Sequence, residues 1–313
     1  FENNSIHFGY RDGISQPQIA GRPGDREADK QPDTPTGDFL LGNGYTNTYG
    51  GNFQEDMPDR LAGNGTYVVL RILEQDVDAF EDFIVRTGER WDMHPELVAA
   101  KLVGRWRDGE SLVMKPHRAF KDHDPEGNHA DALQYDQEFE RDVPVPQDQL
   151  NDFDYVPTND HPTNFNDDDG VRCPFGAHMR RMNPRGGAMG GMQHNHRIVR
   201  RGVPYGPEYN RETDRNDGHE RGLLGVFICG DIATQFEFLQ MTWANVDVGT
   251  PGVIGSRDPM IGWQPEIGGK FSLPTGDHRG TPMLSDLPKL VTTRGSLYGF
   301  MPGIAALRHL ASS

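Results

Sequence analysis

Short, strongly apolar runs alternate with long polar ones in this chain, and the order of the apolar runs limits the folds open to it. Thr66 to Leu73 (Thr-Tyr-Val-Val-Leu-Arg-Ile-Leu) is rich in β-branched and aromatic residues and reads as a strand. Asp76 follows as a helix cap, and Val77, Phe80, Phe83 and Ile84 recur at helical spacing before Gly88. Pro95 to Val103 predicts a second helix, with Leu97, Val98 and Leu102 apolar. Leu223 to Cys229 predicts a strand, and Asp231 can cap a helix presenting Ile232, Phe236, Leu239 and Trp243. Val291 to Met301 predicts a last strand, and Pro302 opens a helix through Ile304, Leu307 and Leu310. Strand followed by helix, recurring across long insertions, predicts an α+β fold with helices on one face of an antiparallel sheet.

The polar stretches set the rest of the organisation. Residues 1–63 are rich in Gly, Pro, Asn and Asp and read as a long N-terminal arm, which leaves 64–313 as the domain proper. Residues 115–170 form a long polar insertion, a length of loop that usually serves function or packs on a partner. Within it, Asn164 to Gly170 invites a calcium-loop reading, but the glycine and the acids are out of register for one. The chain carries 31 Lys and Arg against 47 Asp and Glu, a net charge of −16, and no basic face is visible, so nucleic acid is excluded as a partner. No apolar run approaches the roughly 18 residues needed to span a bilayer. Cys173 and Cys229 are too few for a disulfide framework or a four-thiolate metal site and read as free buried thiols. The first residues lack the basic-then-apolar pattern of a secretion signal, and the compartment, cytoplasmic or extracellular, stays open.

Three segments carry candidate chemistry. In Gly9-Tyr10-Arg11-Asp12-Gly13, glycines flank an acid and allow a tight turn that aims its carboxylate; alone it is also an ordinary Asp-Gly turn. In Cys173 to Arg185, His178 sits among small residues beside arginines that can neutralise carboxylates. His196 to Gly206 concentrates arginine in an acidic protein, which suggests an anionic ligand, or salt bridges to nearby acids. His194 and His196 could be read as non-haem metal ligands, but they lack helical i, i+4 spacing and neighbouring carboxylates.

Taken in order, these segments resemble the dye-decolorizing (DyP-type) haem peroxidases. Gly9 to Gly13 is similar to the family's Gly-x-x-Asp-Gly motif, and Gly176 to Arg180 to its Gly-Ala-His-Ile-Arg segment with Met179 in place of Ile. Arg200 to Gly206 is similar to its Arg-Arg-Gly-x-Pro-Tyr-Gly segment, and the stretches Asp231 to Asn245 and Thr293 to Leu310 also resemble it. The resemblance implies the DyP fold, here its ferredoxin-like domain, and a peroxidase that reduces hydrogen peroxide and oxidises organic donors in one-electron steps.

It also implies roles. His178 would bind the iron of haem b, with its other ring nitrogen donating to a carboxylate, for which Asp231 is the candidate. Asp12 would shuttle a proton between the peroxide oxygens, and Arg200, rather than its neighbour Arg201, would stabilise the growing negative charge. Arg185 and His196 would contact the haem propionates. Trp91, Trp106, Trp243 and Tyr298 are available to relay electrons from bulky donors. A haem-binding subunit without turnover is the alternative, and the presence of both Asp12 and Arg200 argues against it.

Two departures qualify the likeness. Where the family often has Phe after paired leucines, this chain has Gly225, which predicts a roomier pocket if it faces the distal side. The family's first ferredoxin-like domain precedes the Gly-x-x-Asp-Gly motif, whereas here Asp12 lies near the start. A second polypeptide supplying that half is therefore expected, and an oligomer stays open.

Overall fold

The computed structural model describes residues 5–21, 31–53, 57–118, 144–157, 165–186, 194–246, 253–266, 268–276 and 280–312. Much of the polar insertion, with His123, His129, His161 and Asn164, lies outside them.

The apolar runs become the sheet. Strands β3 (Thr66–Gln75), β4 (Val199–Tyr205), β5 (Gly222–Cys229) and β8 (Val291–Met301) pair in the order β4-β5-β3-β8. Every pairing is antiparallel. Two small pairs stand apart: parallel β1 (Gln18–Ile19) with β2 (Asp33–Thr34), and antiparallel β6 (Gly269–Ser272) with β7 (Met283–Leu287). The helices are α1 (Asp59–Ala62), α2 (Val77–Trp91), α3 (Pro95–Val103), α4 (His178–Met182) and α5 (Ile304–Ser312). Asp76 caps α2 by accepting from the Ala79 amide at 2.9 Å, as its position predicts. The helix predicted after Asp231 is present but underwound, π-helical over Ile232–Glu237 and Leu239–Trp243. Asp231 caps it through the Thr234 amide at 2.6 Å.

The sheet presents two unlike faces, because side chains alternate and directly paired residues share a side. Val69, Phe227, Tyr298 and Arg200 point one way, onto Phe236 of the π-helical stretch. The other side carries the cross-strand rows Val203–Leu224–Ile72 and Val226–Leu70–Leu297. On it Val203 is 53% and Leu297 56% exposed, so that apolar face has no cover among the described residues.

The largest core lies beside the sheet, where Phe80, Phe83 and Ile84 of α2 and Val98 and Leu102 of α3 meet Trp106, Leu112, Phe153 and Phe271. Each such side chain contributes about 1.5–3 kcal/mol on burial. Phe8 and Tyr10 join this core, so the described start of the chain is a packed segment and not a free arm. Cys173 and Cys229 are free and buried, and burial pushes both thiols up to about 12. No described helix is long and apolar enough to cross a membrane.

Candidate active site

His178 opens α4, a single turn between buried Ala177 and the extended Asn183. Its imidazole is 31% exposed, and its Nδ1 lies 2.9 and 3.1 Å from the carboxylate of Asp258, which is 0% exposed. A carboxylate only accepts, so Nδ1 carries a proton, and in the neutral ring Nε2 keeps its lone pair. Nε2 makes no hydrogen bond to any described residue. Asp258 is shaped for this task by its own turn: Oδ1 also accepts from the amides of Met260 and Ile261, each at 2.9 Å. Burial opposes its charge, but His178, the Ile261 amide and Arg181 outweigh burial and hold the carboxyl below its usual range.

This corrects the expected pairing of His178 with Asp231, whose carboxylate is a helix cap. The signal for Asp258 was the Asp-Pro step at 258–259, a turn initiator whose side chain takes the amides that follow.

Asp12 and Arg200 do meet. Arg200 Nη1 donates to Asp12 Oδ1 at 2.7 Å, and the Gly202 amide donates to Oδ2 at 2.8 Å. The Gln16 side chain brackets Arg200 itself, donating to its carbonyl at 2.6 Å and accepting from its amide at 3.3 Å. Gly13, at φ +80°, lies where an added Cβ would collide with the Arg201 guanidinium. Arg201 thus lies against the turn's glycine while Arg200 holds its carboxylate.

Arg185 and His196 are placed otherwise than expected. Arg185 is 0% exposed, donating to the carbonyls of Asn151 and Phe153 at 2.8 and 2.9 Å and to the Asn151 side chain. It also donates to Ser15 Oγ at 3.1 Å. A guanidinium so enclosed presents no surface to a propionate; it ties the exit of α4 to the loop that carries Asp12. His196 is buried in an aromatic cluster, stacked on Phe238 at 3.9 Å and edge-on to Trp243 at 5.2 Å, with Nδ1 on the Thr234 carbonyl.

Gly225 lies opposite Gly202 on the Arg200 side of the sheet, but the Phe227 ring occupies the space its side chain would take. The roomier pocket expected there is filled from within the strand. Of the candidate relay rings, Trp106 and Trp243 are buried and Tyr298 is exposed. Trp263 is 65% exposed, on the loop that follows Asp258, with Arg257 over its ring at 4.8 Å.

A half-open histidine with an unengaged Nε2, its other nitrogen held by a buried carboxylate, fits an axial ligand of haem iron. Among the described residues no three His, Cys, Asp or Glu side chains converge as metal ligands.

No protein-family profile matches the chain. A dye-decolorizing peroxidase of Mycena epipterygia is 31% identical over 281 residues, 85% of this chain and 47% of its own length. The multifunctional dye peroxidase DyP2 of Amycolatopsis is 30% identical over 97% of this chain and 60% of its own length. Among solved structures, an ancestral D-type dye decolorizing peroxidase superposes with a TM-score of 0.72 at 29% identity, covering 98% of this chain and 63% of that one. A decolorizing peroxidase of Auricularia auricula-judae gives 0.73 at 26% identity, covering 99% and 65%. The chain spans about half the length of the curated relatives it matches.

Proposed function

Since the chain is of the dye-decolorizing (DyP) peroxidase type in sequence and in fold, we propose that it forms the haem-binding part of a peroxidase that reduces hydrogen peroxide and oxidises organic donors. The observation that carries this reading is the His178–Asp258 pair, with Nδ1 held and Nε2 left for a metal. Haem b held there would supply the electrons for cleaving peroxide and would be restored by two one-electron donations.

The chain's own groups do the rest. Asp258 fixes the ring plane and tautomer of His178 and makes its Nε2 a stronger donor. Asp12 takes a proton from one oxygen of hydrogen peroxide and returns it to the other, a role that contributes about 10²–10⁴-fold in rate. The Arg200 guanidinium opposes the negative charge growing on the departing oxygen. Its contact with Asp12 keeps the two groups together without further ordering.

A companion half, contiguous or a second polypeptide, completes the pocket. Two facts support it: relatives are roughly twice as long, and among the described residues an apolar sheet face lies uncovered on the side away from Arg200. Mass analysis of native material tests this; full peroxidase activity with no companion segment refutes it.

The deciding measurement is the visible spectrum of the purified protein before and after one equivalent of hydrogen peroxide. A Soret band that shifts with peroxide and is absent from His178→Ala supports the reading. A Soret band that peroxide leaves unmoved would mark a haem binder without turnover.

A further inference from the structure

Asp12 reaches Arg200 from a hairpin whose Phe8 and Tyr10 pack into the core and whose His7 ring meets the Tyr205 carbonyl at 2.7 Å. Residues 5–11 close on themselves through the Ser5–Arg11 bridge and the Gly9 amide on the Ile6 carbonyl at 2.7 Å, with Gly9 at φ +81°. One polar side chain also grips its tip. Arg107 Nη1 donates to the Phe8 carbonyl at the hairpin's tip, and its guanidinium lies 5.5 Å from the centre of the Tyr10 ring. An added Cβ at Gly9 would strike that guanidinium, so only glycine lets the tip approach so closely. The Arg107 backbone carbonyl also accepts from the Arg11 amide at 3.2 Å, beside Asp12.

Arg107 is itself fixed from behind. Its Nη2 donates to Glu81 and its Nε to Glu96, both at 2.9 Å, and its side chain is 14% exposed. Arg211 reaches the same two carboxylates from the solvent side, at 3.4 and 2.7 Å. Two helices, α2 and α3, thus supply the acids that aim one guanidinium at the carbonyl of Phe8.

We infer that Arg107 is a positioning residue for Asp12, holding the tip of the hairpin so that the carboxylate arrives on Arg200 and the Gly202 amide. The inference rests on the role of Asp12 proposed above. A fork of this geometry is not replaceable by a single amide, because the side chain must meet two acids and a carbonyl together.

The test is a double-mutant cycle on the haem-loaded protein, with the rate constant for reaction with hydrogen peroxide as readout. Arg107→Gln should lower it by about 10- to 100-fold, the scale of an ångström of misplacement. The apparent KM for the organic donor should stay unchanged. Arg107→Lys, whose ammonium still reaches Phe8, should recover most of the loss. In an Asp12→Asn background the Arg107→Gln substitution should have no further effect. Arg211→Gln, which loosens the acids but does not touch the hairpin, should stay within about threefold of the parent. Without haem, amide exchange should quicken across residues 5–14 in Arg107→Gln and be unchanged along β5.

Equal slowing by Arg107→Gln in both backgrounds would overturn the inference, as would an unaltered rate or unaltered exchange in the hairpin. If Asp12→Asn alone reacts at the full rate, the role given to Asp12 fails instead, and the exchange data still decide whether Arg107 fixes the hairpin.

Discussion

Asp258→Asn is the sharpest probe of the site, because it changes one charge and almost no volume. In the protein, Oδ1 accepts from the Met260 and Ile261 amides, while Oδ2 faces His178 Nδ1 at 2.9 Å. An asparagine keeps its oxygen on the two amides, since only an oxygen can accept there. Its NH₂ then takes the place of Oδ2 and points at Nδ1. Two donors cannot share that contact, and the 3.1 Å contact to Oδ1 is shared with both amides, so the tautomer in which Nδ1 is the acceptor becomes favoured. The proton moves to Nε2 and occupies the lone pair that a metal needs. Loss of such a supporting carboxylate weakens metal binding by about 10- to 100-fold, or roughly 1.4 to 2.8 kcal/mol. Haem titration followed at the Soret band measures this directly. Asp231→Asn is the internal control: it retains a capping oxygen for the Thr234 amide and should leave haem affinity unchanged. Equal haem affinity in Asp258→Asn and the parent, or a loss as large in Asp231→Asn, would refute the assignment of Asp258.

Other outcomes follow from the same geometry. Asp12→Asn should slow the reaction with peroxide by about 10²–10⁴-fold while the haem spectrum persists, as stopped-flow absorbance would show. Arg185→Met should lower stability by more than about 3 kcal/mol in chemical denaturation, because it strips the Asn151 and Phe153 carbonyls of a buried charged donor. Gly13→Ala should cost about 1–2 kcal/mol from its left-handed backbone, and slow peroxide more than it lowers the melting temperature. Burial lowers the titration of His7 and His196 below the ordinary value, in spite of their carbonyl partners. The unfolded chain therefore takes up protons first, and stability should fall as pH drops through about 6.5. His196→Asn should flatten that dependence between pH 7.5 and 5.5; an unchanged slope would count against a buried neutral His196.

Much of this architecture was legible in the residues. Val291 to Met301 became a strand of those bounds, and Pro95 to Val103 a helix of those bounds. Both are dense in local signals: a β-branched start in one, and proline at the first turn with a glycine stop in the other. The resemblance of their segments to known motifs grouped Asp12 with Arg200, and the two side chains meet. What escaped was set by long-range packing. Asp231 and Asp258 are both aspartates at the start of a turn, and only the fold decides which one lies under His178. Arg185 was expected to contact a haem propionate, yet its guanidinium is taken by carbonyls of a loop remote in sequence. The start of the chain read as an arm because Phe8 and Tyr10 show no period, although they pack against Phe80 of α2.

Two strands in this sheet, β4 and β8, have a neighbour on one side only. β4 pairs with β5, and the peptide groups of Arg200 and Gly202 face outward, where an unpaired strand would invite another chain. They are not left open: Gln16 takes both the amide and the carbonyl of Arg200, and Asp12 takes the amide of Gly202. The turn that delivers the carboxylate therefore doubles as a short imitation strand that seals the sheet's border. Substitutions chosen to silence the site, above all Asp12→Ala with Gln16→Ala, should also unseal that border, and a loss of solubility in them would be a consequence of the same hydrogen bonds that serve the chemistry.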